Sequence, residues 1–382
     1  MVSPIYLDYN ATTPHDPEVI AAMMPFLNEA FGNPSSSHWY GITPKRAVEA
    51  ARARVAGLLN CTTDEIIFTS GGTESNNHAV SGIAWARKDR GNHIITSTVE
   101  HPAVFEVCGA LEKHGFETTY VNVDGNGRVN IDELEQAVRK DTVLITIMHA
   151  NNEVGTMQPI EDISAVAKKN NIVMHTDAAQ SVGKIPVDVC RLGVDLLSIA
   201  GHKVYAPKGV GALFIRRGLA LEKFCHGAGQ EMGKRAGTEN VLEIVGLGKA
   251  CEIAERDMER SMRHMKHMRD RLYEGLQKAG TVTRLNGHLH DRLPNTLSLS
   301  FKNLEANRIL EEIGLEVAAS AGAACHADAV EISHVLSAMK VPLDFAKGTL
   351  RFSVGRMTTA EEIDQAIDVV LQAVESLSRQ RD

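Results

Sequence analysis

The sequence predicts an α/β fold in which helices cover a mostly parallel sheet, followed by a smaller α+β domain. Short apolar runs, each about the length of a strand and bounded by turn residues, recur at 66–68, 93–97, 143–148, 171–175, 195–200 and 211–215. Helical patterns lie between most of these runs, at 75–89, 103–114, 131–140 and 161–170. Strands that alternate with helices favour a parallel sheet with both faces covered.

The pattern changes near residue 240. An amphipathic stretch, about 241–278, is long enough to leave one domain and enter another. Strand-like and helical segments follow it, of which the clearest are 296–301, 349–354 and 360–379. We therefore predict a large domain over residues 12–255 and a small α+β domain over residues 256–382, which residues 1–11 can join.

The composition is that of an ordinary globular protein. The chain has 382 residues, of which 43% are hydrophobic and 23% charged, and its formal net charge is -8. A chain of this length accommodates two domains and a large core. The acidic balance argues against a nucleic-acid-binding surface over the whole protein, so we expect no direct nucleic-acid binding.

The N-terminal segment MVSPIYLDYN lacks the basic region and long apolar stretch of a secretory signal, and no window approaches the roughly 18 apolar residues of a membrane span. The expected compartment is the cytoplasm. The six cysteines are scattered without a C-x-x-C pair, which argues against a disulfide framework. All of them except Cys325 are predicted to be small buried hydrophobes.

Lys203 stands three residues after the apolar run 195–200. Burying an ammonium group is costly, and the cost falls if the lysine is held as a Schiff base, a known form of covalent catalysis. The alternative is a lysine whose stem covers apolar surface while its charge stays in water.

Asp177 follows the apolar run 171–175, at the end of a strand where α/β folds bind ligands. Pyridoxal phosphate needs an acidic partner for its pyridinium nitrogen so that the ring can accept electrons, and Asp177 suits that role. Gln180, three residues further along, could reach the phenolic oxygen of the ring. The alternative for Asp177 is a helix N-cap.

The segment TSGGTESNN at 69–77 follows another apolar run and opens a helical pattern. Small residues such as Gly72, followed by Thr73, let backbone N–H groups approach an anion at a helix N-terminus. This predicts a phosphate cup, although the segment matches neither the G-x-G-x-x-G nor the P-loop pattern. A plain Gly-Gly turn is the alternative.

His101 and Asn152 also follow predicted strands, the runs 93–97 and 143–148. An imidazole in this place can stack on a flat ring and move protons, whereas a lone histidine is more often structural. Several polar groups thus come after separate strands, which together indicates one site at the carboxyl edge of the sheet.

Eight segments occur in order along nearly the whole chain. They are YLDYNATTP at 6–14, TSGGTESNN at 69–77, STVEH at 97–101, NNEVG at 151–155, HTDAAQ at 175–180, GHK at 201–203, RAGTEN at 235–240 and RFSVGR at 351–356. Together they resemble the cysteine desulfurases of the NifS/IscS type, within the class-V aminotransferase family of fold-type I pyridoxal-phosphate enzymes.

The resemblance implies a homodimer with its active site near the subunit interface. It places Lys203 in covalent linkage with the cofactor, His101 over the pyridine ring and Asp177 at the ring nitrogen. It also implies that Gln180 and Asn152 lie near the ring oxygen. Thr73 and His202 would hold the phosphate, helped by Thr238 of the partner subunit. Arg356 and Asn152 would bind the substrate, because a guanidinium suits its carboxylate.

Two positions depart from the family's pattern. Relatives usually have serine where Ala200 stands, and that hydroxyl binds phosphate; glycine is common where Ala228 stands. Neither position touches the reacting groups, so the departures bear on cofactor affinity rather than on the type of reaction.

Cys325 lies in a run of small residues, 319–329, that suits either a mobile loop or a tightly packed strand and turn. His326 beside it would, if protonated, lower the pKa of the thiol. The resemblance, not the local composition, identifies Cys325 as the residue that forms a persulfide. It implies conversion of L-cysteine to L-alanine, with sulfur passing to Cys325 and then to an acceptor protein for iron–sulfur cluster, tRNA or DNA sulfur modification.

Three other functions fit part of this pattern. An aminotransferase or decarboxylase would use the same lysine, aspartate and phosphate cup without Cys325. Selenocysteine lyase is closer, because AACH at 323–326 and TEN at 238–240 also resemble that branch. A scaffold without enzymatic activity is the third.

No metal site is predicted. The pair His264 and His267 shares a helix face, and His288 and His290 are close in sequence. Neither pair has a cysteine cluster with zinc spacing nearby, so we interpret all four as solvated histidines.

Overall fold

The computed structural model describes residues 4–326 and 329–380, and within 323–331 it describes the backbone alone. The strands are β1 (Ile5–Tyr6), β2 (Ile66–Thr69), β3 (His93–Ser97), β4 (Glu117–Val121), β5 (Thr142–Thr146), β6 (Val173–Asp177), β7 (Leu196–Ala200), β8 (Gly211–Ile215), β9 (Thr283–Asn286), β10 (Thr296–Phe301), β11 (Val317–Ala318), β12 (Ser320–Ala321), β13 (Ala323–His326), β14 (Ala329–Ile332) and β15 (Thr349–Ser353).

The helices are α1 (Pro17–Asn28), α2 (Trp39–Leu59), α3 (Gly72–Ala86), α4 (Pro102–Glu112), α5 (Ile131–Gln136), α6 (Ile160–Lys169), α7 (Val189–Leu192), α8 (Val241–Leu276), α9 (Ala306–Ile313), α10 (His334–Ala338), α11 (Leu343–Ala346) and α12 (Ala360–Arg379). Single 3-10 turns occur at Thr63–Glu65, Gly201–Lys203 and Glu231–Gly233.

Seven strands form the central sheet, in the order β2-β8-β7-β6-β5-β3-β4. The pairs from β7 to β4 are parallel, and β8 is antiparallel to both its neighbours. Every residue of β3, β5, β6, β7 and β8 is buried, which is the burial expected of strands covered on both faces. The predicted α/β class with a mostly parallel sheet is confirmed.

The carboxyl ends of several strands meet at one edge of this sheet. β2 is antiparallel to β8, which is itself antiparallel to β7, so β2 and β7 end at the same edge. β3, β5 and β6 run parallel with β7 and end there too. Polar residues that follow these strands in the sequence are therefore brought together in space.

A second, antiparallel sheet with the order β12-β15-β10-β9 lies in the C-terminal part of the chain. Its core includes Phe301, Leu350 and Val370, together with Ile5 and Leu7 from the N-terminal segment. β1 pairs in parallel with β11, so the first strand packs with the C-terminal part. A second core of strands and helices thus lies in the C-terminal part, and it includes the N-terminal strand, while the predicted bounds of the small domain stay a prediction.

Helix α8 connects the two cores. Leu247 and Cys251 in its first half pack into the core around the central sheet. Met265 and Leu272 in its second half pack into the C-terminal core. The helix is continuous over 36 residues, and the predicted domain division at residue 255 falls inside it and stays a prediction.

Most of the described cysteines do not match their prediction as buried hydrophobes. Cys108 and Cys251 are buried, but Cys61 and Cys225 are half-buried and Cys190 is exposed. All five are free thiols. Apolar character alone could not decide their burial, because it depends on which face of each segment packs against the core.

In residues 4–326 and 329–380, no helix combines the length and the apolar character that crossing a membrane requires.

Candidate active site

A cavity of about 310 Å³ opens at the carboxyl edge of the central sheet. Nine residues predicted for the site or its margin line it: Gly72, Thr73, His101, Asn152, Asp177, Gln180, Ala200, His202 and Lys203. A larger cleft of about 1060 Å³ lies beside α8 and contains none of them. The smaller cavity is the candidate active site, because the residues predicted for the site line it.

Lys203 reaches the cavity from the 3-10 turn that follows β7. Its Nζ donates to the carbonyl oxygens of Asn10, at 2.5 Å, and Ala11, at 2.6 Å. Burial, with a smaller contribution from the Arg351 guanidinium, lowers the pKa of Lys203 to about 8. The neutral amine, which is the nucleophilic form, is thus accessible close to neutral pH.

Asp177 is a buried carboxylate at the end of β6. Its Oδ1 accepts from the backbone N–H of Ala179 at 2.9 Å, and its Oδ2 accepts from Asn76 Nδ2 at 2.6 Å. Asn76 Oδ1 is buried, and it has no hydrogen-bond partner within the described structure. An unsatisfied acceptor beside a buried carboxylate fits a ligand that carries an N–H group, such as a protonated ring nitrogen.

The N-terminus of α3 faces the cavity through Gly72 and Thr73. Its N-cap is Gly71, which has no side chain to bind the free N–H groups of the first turn. A Cβ at Gly72 would lie 3.1 Å from the Ala200 side chain, so a larger residue would crowd Ala200. These features fit an anion held by backbone N–H groups, as the phosphate cup requires.

His202 contributes an uncharged ring to the same wall. Its Nδ1 lies 3.2 Å from Thr12 Oγ1, and burial lowers its pKa to about 4. It can therefore offer a neutral N–H to an anion. Ala200 beside it has no hydroxyl to offer, whereas the first turn of α3 presents backbone N–H groups and the Thr73 hydroxyl at the same cavity.

His101 is the N-cap of α4, where its Nδ1 accepts from the Ala103 N–H at 3.1 Å. An accepting Nδ1 assigns the proton of the neutral ring to Nε2. Although the ring is open to the cavity, the surrounding walls desolvate it and lower its pKa, with Lys203 adding to the effect. His101 is thus a neutral imidazole that can give or take a proton.

Arg356 does not lie in the cavity, which corrects its expected position. Its guanidinium bonds to Asp16 and stacks over the Tyr205 ring at 3.9 Å. The reason is local, because β15 ends at Ser353 and the chain turns away before it reaches Arg356. Arg351, within β15, lines the cavity instead.

Arg351 is held by groups from three segments. Its Nη2 donates to Asp8 Oδ1 at 2.7 Å and to Ser320 Oγ at 2.9 Å, and its Nη1 donates to the Asn152 carbonyl at 3.3 Å. A charged residue within a buried apolar strand was the sequence signal that could have found it.

Asn10 was also missed, although it belongs to one of the matching segments. It is buried, and its Nδ2 donates to the Asn152 carbonyl at 3.1 Å and to Thr296 Oγ1 at 2.8 Å. Its backbone carbonyl accepts from Gln180 Nε2 at 3.0 Å as well as from Lys203. Asn10 therefore ties the N-terminal segment to both sides of the cavity.

Cys325 lies outside the described side chains, so its thiol is not placed. Its backbone belongs to β13 and pairs with Val330 of β14, which agrees with the strand alternative for this run. The base of this hairpin is tied to the cavity loops, because Ser333 Oγ donates to Glu153 and His334 Nε2 lies 2.9 Å from the Glu100 carbonyl oxygen.

Thr238 is exposed and does not line the cavity of its own chain. Its neighbour Arg235 donates through Nε to Glu74 Oε1 at 2.8 Å, which ties the RAGTEN segment to the first turn of α3. In the described ranges, no group of three or more histidine, cysteine, aspartate or glutamate side chains is arranged to hold a metal ion.

Residues 5–366 match the family Aminotransferase class-V. A cysteine desulfurase IscS from Dictyoglomus turgidum is 51% identical over 374 residues, which are 98% of this chain and 95% of that protein. A solved NifS-like protein superposes with a TM-score of 0.92 at 40% identity, covering 98% of this chain and 100% of that one. A solved structure of SspA in complex with cysteine superposes with a TM-score of 0.81 at 36% identity, covering 93% of this chain and 99% of that one. The chain therefore belongs to the class-V aminotransferase family.

Proposed function

We infer that the chain is a pyridoxal-phosphate-dependent cysteine desulfurase, which converts L-cysteine to L-alanine and passes the sulfur to an acceptor protein. The observation that carries this conclusion is the meeting of Lys203, Asp177 and the N-terminus of α3 around one cavity. Relatives named cysteine desulfurase share about half of its residues over nearly the whole chain, as the 51% and 49% identities of two IscS proteins illustrate.

We assign the cofactor's contacts from the groups that face the cavity. Lys203 would bind it covalently, Asp177 would pair with its ring nitrogen, and His101 would lie against its ring. The first turn of α3 and His202 would hold its phosphate. When bound, pyridoxal phosphate supplies an electron sink for negative charge that develops at the substrate Cα.

The amine of Lys203 is suited to take the Cα proton of the substrate, because its lowered pKa of about 8 leaves a usable fraction neutral. His101 Nε2 is the second group on the cavity wall that can move a proton. Arg351 replaces Arg356 as the proposed partner of the substrate carboxylate, since its guanidinium lines the cavity and its buried Nε has no hydrogen-bond partner within the described structure.

The sulfur step assigned to Cys325 is a displacement at sulfur. The Cys325 thiolate forms a bond to the substrate sulfur, the carbon–sulfur bond breaks, and its electron pair stays on the carbon skeleton. That skeleton takes up a proton and leaves as alanine, while the sulfur remains on Cys325 as a persulfide. Burial raises the pKa of Cys61, Cys108 and Cys251 to about 12, which disfavours the thiolate at those three positions.

We further propose that two copies of the chain form a homodimer through an aromatic patch on α2 and the segment that connects α1 to α2. Phe31 and Trp39 are 72% and 69% exposed. Tyr40 joins them, because its ring stacks on Trp39 at 4.0 Å and lies 5.6 Å from Phe31. Contiguous exposed aromatics of this kind indicate a protein interface. The resemblance to the cysteine desulfurases implies that Thr238 of the partner subunit then helps to hold the phosphate. The cytoplasm remains the proposed compartment.

Reconstitution tests the activity. The purified protein, supplied with pyridoxal phosphate, is expected to develop a visible absorbance band, and with L-cysteine to form alanine in step with sulfide or persulfide. The Lys203→Ala variant is the matched control and should develop no such band. Release of a keto acid or an amine from cysteine, in place of alanine, would assign the chain to an aminotransferase or decarboxylase reaction and reject the proposal.

A further inference from the structure

Lys184 is a lysine buried in the wall behind the cavity, with 4% of its surface exposed. Its Nζ donates to Gln180 Oε1 at 2.7 Å and to Asn10 Oδ1 at 3.2 Å. Both acceptors are neutral amides, and no aspartate or glutamate of the described chain forms an ion pair with Lys184. A charged ammonium in this position would be costly, because buried charges are normally paired.

The surroundings favour the neutral amine. Burial lowers the pKa of Lys184 well below its ordinary value, and two cations facing it, Lys203 from the turn after β7 and Arg351 from β15, lower it further. A neutral amine has two N–H groups, which equals the number of acceptors around Nζ. The geometry therefore satisfies an uncharged Lys184 completely as a donor.

The contact between Lys184 and Gln180 determines the orientation of the Gln180 amide. Because Oε1 accepts from Lys184, Nε2 is directed to the Asn10 carbonyl oxygen, at 3.0 Å. That same carbonyl accepts from Lys203 Nζ at 2.5 Å. A chain of hydrogen bonds thus runs from Lys184 through Gln180 and Asn10 to Lys203.

We propose that Lys184 is a positioning residue. It fixes the Gln180 amide so that the N–H groups of the amide, rather than its carbonyl oxygen, point to the cavity and to the cofactor's ring oxygen. The inference rests on the proposed function, which assigns Gln180 to the ring oxygen. Gln180 lines the cavity while Lys184 does not, so we assign the effect of Lys184 on the ring to the amide that it holds rather than to direct contact.

The test is a pH titration of the visible absorbance of the cofactor-loaded enzyme, with Lys184→Met compared with Lys168→Met, an exposed lysine on α6. In Lys184→Met the amide is free to turn, and the ring oxygen loses a donor that stabilises its negative charge. The proton shared between that oxygen and the lysine nitrogen is then held more tightly. We expect the pKa of the visible band to rise by about one in Lys184→Met and to stay unchanged in Lys168→Met.

Two further variants separate positioning from mere packing. Lys184→Gln keeps two N–H donors and should shift the band less than Lys184→Met. In a Gln180→Leu background the Lys184→Met change should add no further shift, because the amide through which it acts is gone.

The inference would be overturned if the pKa of the visible band were the same in Lys184→Met, Lys184→Gln and Lys168→Met. It would also be overturned if Lys184→Met shifted this pKa equally with Gln180 and with Gln180→Leu. If Lys184→Met does not fold, the Lys184→Gln comparison in the two backgrounds decides alone. Alanine formation from cysteine is measured separately in the unaltered enzyme. Its absence beside a normal band would reject the proposed function and leave the role of Lys184 standing.

Discussion

Lys203 lies with its amine between two backbone carbonyl oxygens and within the field of the Arg351 guanidinium. The carbonyls are neutral acceptors, so they do not offset the loss of solvation as a carboxylate contact would. The pKa consequently falls to about 8. A free lysine has a pKa of about 10.4, so at neutral pH the neutral fraction of Lys203 is larger by two orders of magnitude or more.

This environment predicts a pH dependence for cofactor uptake. The neutral amine is the reactive form, and a lowered pKa makes it predominant above pH about 8. The rate at which cofactor-free protein develops the visible band after addition of pyridoxal phosphate should rise through this pH and level off above it. Stopped-flow absorbance between pH 6 and about pH 10 measures it, and a midpoint near that of free lysine, about 10.4, would contradict the described surroundings.

The positions of two arginines relative to strand β15 determine which of them can reach the active site. Arg351 lies inside the strand, where side chains alternate strictly between the two faces, and it points to the cavity. Arg356 comes three residues after the strand ends, and it is bound to Asp16 and Tyr205. The motif RFSVGR contains both, and a match of letters alone cannot tell which one faces the substrate.

Substitution of the two arginines tests this assignment. Arg351→Ala should lower kcat/KM for L-cysteine roughly 100-fold, because it removes charge-assisted hydrogen bonds to the carboxylate. Arg356→Ala should change kcat/KM by less than about threefold once the folded fraction is taken into account, since its contacts lie outside the cavity. The assignment of Arg351 fails if Arg356→Ala gives the larger loss in correctly folded protein.

Across the whole molecule, the active site lies where the central sheet, the C-terminal sheet and the N-terminal segment meet. The strand-end residues were predictable, because apolar runs in the sequence reveal the strands and parallel strands end at one edge. Asn10, Asn76 and Lys184 were not, because their approach depends on tertiary packing between distant segments. The edge strand β4 and the helices α1 and α2 also escaped prediction, since their half-exposed residues show little periodicity.

The hairpin β13–β14 is joined to both sheets. Its base is joined to loops of the central sheet through Ser333 and His334, and to the C-terminal sheet through the hydrogen bond from Gly322 N to the Thr349 carbonyl. Cys325 is therefore carried by a segment that both sheets anchor. The proposed transfer of sulfur requires that this segment bring the thiol to the substrate.

Peptide mass spectrometry after a single turnover tests that requirement most directly. With pyridoxal phosphate and one equivalent of L-cysteine, the peptide containing Cys325 should gain one sulfur atom as alanine appears. Cys325→Ser should keep the visible band and bind cysteine but form no alanine, whereas Cys190→Ser, which alters an exposed thiol, should behave like the unaltered enzyme. Unchanged alanine formation in Cys325→Ser, or the added sulfur on another cysteine, would contradict the account.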